Sequence, residues 1–200
     1  MVELGFSSAA IDAVVIGGSA GSFSVLRDLV RALPVHTTVP MLIVMHLPPE
    51  PRSPFAELLA EDSPIPVKEA EDKERIAPGT IYIAPPNYHL LVEKDHCLAL
   101  AADEPVNFSR PSIDVLFESA AEAFGERLLA VVLSGASVDG AKGVRAVAGR
   151  RGRVIAQAPE SSEHAVMPSA AIAACPTCTA LAPNALAKLF SSFDVAEEER

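Results

Sequence analysis

Ala13-Val14-Val15-Ile16-Gly17-Gly18-Ser19-Ala20-Gly21-Ser22 runs from four apolar residues into a cluster of small ones around a single serine. Behind it Val25, Leu26, Leu29, Val30 and Leu33 recur at helical spacing, which predicts a helix over residues 22–32 closed by Pro34. A buried strand delivers Ser19 to a turn that only small side chains allow, and the following helix start leaves free backbone N–H groups beside it. That is the position of a nucleophile. It is equally the position of a phosphate-cradling turn or a plain strand–helix connection, so the rest of the chain must decide.

Outward from this turn, short β-rich runs alternate with amphipathic segments, the pattern of βα units around a mostly parallel sheet. Strands are expected at 13–16, 41–45, 129–133 and 154–156, with helices at 55–60, 112–124, 140–148, 168–174 and 183–193. Pro48, Pro49, Pro51 and Pro54 punctuate a stiff loop. Between 67 and 100 the runs around Val67, 81–84, 90–92 and 97–100 read as shorter strands or hairpins. Two hundred residues, half of them apolar, suit one domain, here residues 1–193, followed by a solvated acidic tail at 194–200.

Composition narrows the function. Twenty-six acidic against 16 basic residues give a formal net charge of −10, so the basic footprint that holds a nucleic-acid backbone is missing. There is no apolar run long enough for membrane insertion and no leader-like N-terminus, which points to a cytoplasmic protein. Three cysteines cannot pair completely, and the lone Cys175-Pro176-Thr177-Cys178 lacks the second pair or clustered histidines of a zinc site, so packing is its expected role. No metal or cofactor is expected.

Residues just after parallel strands meet along one sheet edge although far apart in sequence. Ser19 follows the first strand, His46 follows Leu42-Ile43-Val44-Met45, and Asp139 lies in Ser134-Gly135-Ala136-Ser137-Val138-Asp139-Gly140 behind Val131-Val132-Leu133. Serine needs a base near neutral pKa, and that imidazole needs a carboxylate to fix its tautomer. His36, His89, His96 and His164 fall before strands, at a hairpin tip or in a late loop, and Asp12 stands at the wrong strand end. Gly17-Gly18-Ser19-Ala20-Gly21 also fits the G-x-S-x-G elbow of α/β-hydrolases, but those run Ser, acid, His, with several strands ahead of the serine. A dinucleotide site would want G-x-G-x-x-G and an acidic residue where His46 stands.

Five ordered blocks carry a resemblance. They are Val15 to Gly21, Met45-His46-Leu47-Pro48, Tyr82-Ile83-Ala84-Pro85-Pro86-Asn87-Tyr88-His89-Leu90-Leu91, Arg110-Pro111-Ser112-Ile113-Asp114-Val115-Leu116-Phe117 and Leu133 to Ala141. The chain resembles the catalytic domain of the bacterial chemotaxis protein-glutamate methylesterases, the CheB family, over nearly its whole length. The resemblance implies a doubly wound, three-layer α/β fold and a Ser-His-Asp triad at Ser19, His46 and Asp139. It implies hydrolysis of γ-glutamyl methyl esters on chemoreceptor helices, often with glutamine deamidation. Many members have threonine where this chain has Ala20, and methionine-glycine where it has Ala136-Ser137.

Backbone N–H groups of Ala20 and of the Ala136–Ser137 loop are the expected oxyanion donors, with Gly21 beside them. His89 and Ser112 are expected to pack or cap, and Arg110, read as exposed, to steer an acidic receptor helix. The family's full-length form carries an N-terminal receiver domain, whereas about a dozen residues precede the first strand here. The chain reads equally as a stand-alone member controlled by a separate receiver or kinase protein, or as the catalytic half of a longer one. The alternative is a non-catalytic docking module with the esterase fold.

Overall fold

The computed structural model describes residues 11–46 and 54–193; the expected acidic tail, the first ten residues and the prolines at 48, 49 and 51 lie outside them. Strand β1 (Ala13–Gly18) is buried along its whole length, as a near-continuous apolar run requires when helices cover both faces of a sheet. It pairs in parallel with β2 (Met41–Met45) on one side and with β7 (Leu128–Val132) on the other. Beyond them lie β4 (Ile81–Ile83), β3 (Val67–Glu69), β8 (Arg153–Gln157) and β9 (Thr179–Leu181), in the order β3-β4-β2-β1-β7-β8-β9. All six pairings are parallel. The chain winds outward from β1 through β2, then returns to its other side at β7, which makes the sheet doubly wound with its switch point at β1.

Alternation along the strands divides the core in two. Val14, Ile16, Ile43 and Val131 face α1 (Phe23–Arg31), α2 (Phe55–Ala60) and α6 (Pro183–Phe190), while Val15, Leu42, Val44 and Val132 face α3 (Ile113–Phe124), α4 (Ala141–Gly149) and α5 (Val166–Ala174). The antiparallel hairpin β5 (His89–Val92) and β6 (Leu98–Ala101) packs on α3.

One approach in this core needs glycine. A Cβ on Gly17 would stand 2.4 Å from Ile113 Cγ2, so the missing side chain lets the first turn of α3 sit directly on the end of β1.

Some boundaries differ from the sequence reading. β7 begins and ends one residue earlier, α5 starts at Val166 rather than 168, and α6 stops at Phe190. Strand β9 was not expected: three residues that pair with β8 alone carry too little pattern to be seen. Ser112, expected to cap α3, makes no side-chain capping bond; its hydroxyl goes to Asp139 instead.

Candidate active site

The first link is backbone. Ser19 N–H donates to Ser134 O at 3.0 Å and His46 N–H to Gly18 O at 3.1 Å, so the ends of β7, β1 and β2 continue their ladder into the three loops at the switch point. Past Ser19 the chain turns at Gly21, whose φ of +75° disfavours a side chain. The buried Ser22 hydroxyl donates to Ser19 O at 2.6 Å and fixes the serine's own carbonyl. Ser134 Oγ donates to Ala20 O at 2.9 Å and accepts from His164 N–H at 2.9 Å, tying this turn to the loop before α5.

His46 and Asp139 meet: Nε2 donates to Oδ2 at 2.9 Å, the imidazole almost buried and the carboxylate fully so. A carboxylate only accepts, so the proton is on Nε2 and Nδ1 is the free basic nitrogen. Nδ1 stands 3.5 Å from Ser109 Oγ. Ser19, His46, Ala20 and Gly21 line one cavity of about 400 Å³, walled by Phe23, Met45, Phe55 and Leu58. None of its described lining residues carries a carboxylate, lysine or arginine.

Asp139 has a second duty. Besides His46 it accepts from Ser112 Oγ at 2.9 Å, Ile113 N–H at 2.6 Å, Asp114 N–H at 3.2 Å and Asn107 Nδ2 at 2.9 Å. Ile113 and Asp114 open α3, so Asp139 is that helix's cap, supplied from another loop, and its charge faces the positive end of the helix. Asp114 in turn accepts from Gly143 N–H in the first turn of α4 at 2.7 Å. The two helices thus cap each other's starts, and Asn107 Nδ2 bridges the carboxylates at 2.9 Å to each.

Burial pushes the Asp139 carboxyl upward, but the hydrogen bonds from His46, Asn107, Ile113 and Ser112 outweigh it and hold the group below its ordinary value. Asp114, with fewer donors, is raised by burial and by the neighbouring Asp139 charge.

The four amides of Ala20, Gly21, Ala136 and Ser137 donate to no described residue, which leaves them available to a ligand. Ser137 also contributes its hydroxyl, accepting from Asp139 N–H at 3.1 Å.

His89 is buried, accepts from Ser112 N–H at 3.2 Å and bonds Glu104 O at 3.2 Å, a positioning contact for the loop before α3. Arg110 departs from its expected exposure: it is half-buried and its Nη1 donates to Ala102 O and Asp103 O, each at 2.9 Å. Cys175 is buried in the core and burial pushes the Cys178 thiol up to about 12. Asn107 and Ser109 were missed because they stand in an irregular loop without periodicity, whereas Asp114 lay inside one of the five blocks that carried the resemblance.

A family model described as CheB methylesterase matches residues 14–190. The chain belongs to the CheB methylesterase family. A relative from Leptospira interrogans is 41% identical over 183 residues, spanning 92% of this chain and 95% of its own. The protein-glutamate methylesterase/protein-glutamine glutaminase of Archaeoglobus fulgidus is 36% identical over 162 residues, 80% of this chain and 46% of that one. The crystal structure of the Thermotoga maritima CheB methylesterase catalytic domain superposes with a TM-score of 0.81 at 33% identity, covering 90% of this chain and 98% of that one. CheB membership accounts for the doubly wound sheet. No helix among the described residues is long and apolar enough to cross a membrane.

Proposed function

We propose that the chain hydrolyses γ-glutamyl methyl esters on the cytoplasmic helices of methylated chemoreceptors and deamidates glutamines there, with Ser19 as nucleophile, His46 as base and Asp139 as its anchor. The observation that carries this reading is the His46 Nε2–Asp139 pair, which anchors an imidazole that lines the same cavity as Ser19.

His46 Nδ1 takes the Ser19 proton as Oγ forms its bond to the ester carbonyl carbon. Charge gathers on the carbonyl oxygen, where the free amides of Ala20 and of the Ala136–Ser137 loop meet it; one such donor is worth about 3 kcal/mol. The proton then passes to the departing methoxide, methanol leaves, and water attacks the acyl-Ser19 with His46 again as base. Asp139 holds the imidazolium throughout without taking its proton. A cavity whose described lining carries no carboxylate, lysine or arginine favours a neutral ester or amide over the carboxylate product. Action on such cytoplasmic helices puts the reaction in the cytoplasm.

Methanol release from methylated receptor membranes tests this. It is expected from the protein and not from its Ser19→Ala variant. Equal release by both, or none by either, overturns the reading.

A further inference from the structure

His46 is shared by two cavities. Besides the Ser19 cavity it lines a second cleft of about 260 Å³ with Asn87, Phe108, Ser109 and Arg110. Nη1 of Arg110 is spent on two backbone carbonyls, which lock the guanidinium plane. Nε is buried in the wall and has no hydrogen-bond partner, and Nη2 has none among the described residues. The accessible part of the guanidinium is therefore Nη2, which can give a carboxylate one charge-assisted hydrogen bond. Asn87 and Ser109 add neutral donors, and no acidic residue is among the described residues that line the cleft, although the chain carries 26. Phe108, fully exposed, stands at the cleft as an apolar surface for the stem of an entering side chain.

We propose that this cleft is a second substrate subsite in which Arg110 binds the carboxylate of an acidic side chain on the polypeptide whose ester occupies the Ser19 cavity. The proposal rests on the esterase reading above and adds to it a sequence preference. A helical substrate presents neighbours on one face three or four residues apart, with Cβ atoms roughly 6 Å from each other. The two openings share the His46 imidazole in their walls, so neighbours on one face of a substrate helix are the residues that would reach both. In an enzyme of net charge −10, a fixed cationic edge beside the base also offsets the repulsion of an acidic helix.

The test uses two synthetic helical peptides, each with one glutamate γ-methyl ester, flanked at four residues on either side by glutamate in one and by glutamine in the other. The glutamate-flanked peptide is expected to show about tenfold higher kcat/KM at low salt, carried mainly by KM, with the advantage eroding as salt rises. In Arg110→Gln the two peptides should converge, and Arg110→Lys should keep part of the difference. Equal kcat/KM for the two peptides on the unaltered enzyme, a comparison that needs no variant to fold, overturns the subsite. So does a preference undiminished in Arg110→Gln. If neither peptide were hydrolysed, the esterase reading would fall instead. Fluorescence anisotropy of the same peptides would still decide the cleft, by tighter binding of the glutamate-flanked one and its loss in Arg110→Gln.

Discussion

Asp139 joins a helix cap to the proposed triad in a single carboxylate. It accepts from His46 Nε2 and from the first amides of α3, so Asp139→Asn brings an amide donor against donors that need an acceptor. The variant is expected to lose about 10³- to 10⁴-fold in rate and roughly 1–3 kcal/mol in stability, read by methanol release and by urea unfolding. The pH dependence has a definite sign. Because the folded carboxyl titrates below its ordinary value, the unfolded chain binds more protons in the window between the two, and stability rises with pH there. The gap in unfolding free energy between the protein and Asp139→Asn should therefore be full above about pH 4 and shrink as pH falls through the depressed pKa. A gap constant from pH 6 to pH 3 would contradict the capping role. At this scale Ser19 and His46 stood out as candidates because each directly follows an apolar strand, and Asp139 because it lies in the loop after one. The other four donors to Asp139 were not, since side chains and amides from the start of α3 and the loop before it leave no periodic trace.

At the scale of elements, α3 is the part that ties fold to site. Its first turn rests on Gly17 and donates to Asp139, so displacing it should be felt in both. Gly17→Ala puts a methyl against Ile113 and is expected to cost about 1–3 kcal/mol together with much of the activity. Adding Ile113→Ala vacates the contested space, so the double variant should be less destabilised than the sum of the singles in a urea double-mutant cycle. Strict additivity would show that the contact is not what holds α3 there. By contrast the pairs Lys142–Glu118, Arg150–Glu122 and Arg151–Glu126, which link α4 and its end to α3 and the turn after it, are exposed. Glu122→Ala should change stability by less than about 0.5 kcal/mol. Helical spacing made α1 visible in the sequence and a cap-type serine pointed to α3, while the reciprocal capping of α3 and α4 was invisible because it joins residues far apart in sequence.

Across the whole molecule, the seven-stranded sheet is sandwiched between two helical layers, and the last helix belongs to the layer built first. Phe190 is fully buried in the cluster that holds Val14, Leu26 and Ile43. Phe190→Ala is expected to lose about 3–5 kcal/mol in chemical denaturation, and a loss under 1 kcal/mol would mean that α6 is not part of the cooperative core. The parallel α/β architecture was readable from alternating strand and helix patterns, but strand order was not, because β9 and β3 are three-residue edges whose pairing is settled by what remains uncovered. That order is what brings β1, β2 and β7 side by side and makes one site of three distant residues. The most direct test of the account is methanol release from methylated receptor by Ser19→Ala, His46→Ala and the double variant, measured beside the unaltered protein. If the two act as a unit, each single variant falls to background and the double loses nothing more. Substantial turnover in either single variant, or a further multiplicative loss in the double, would contradict a nucleophile and base working together.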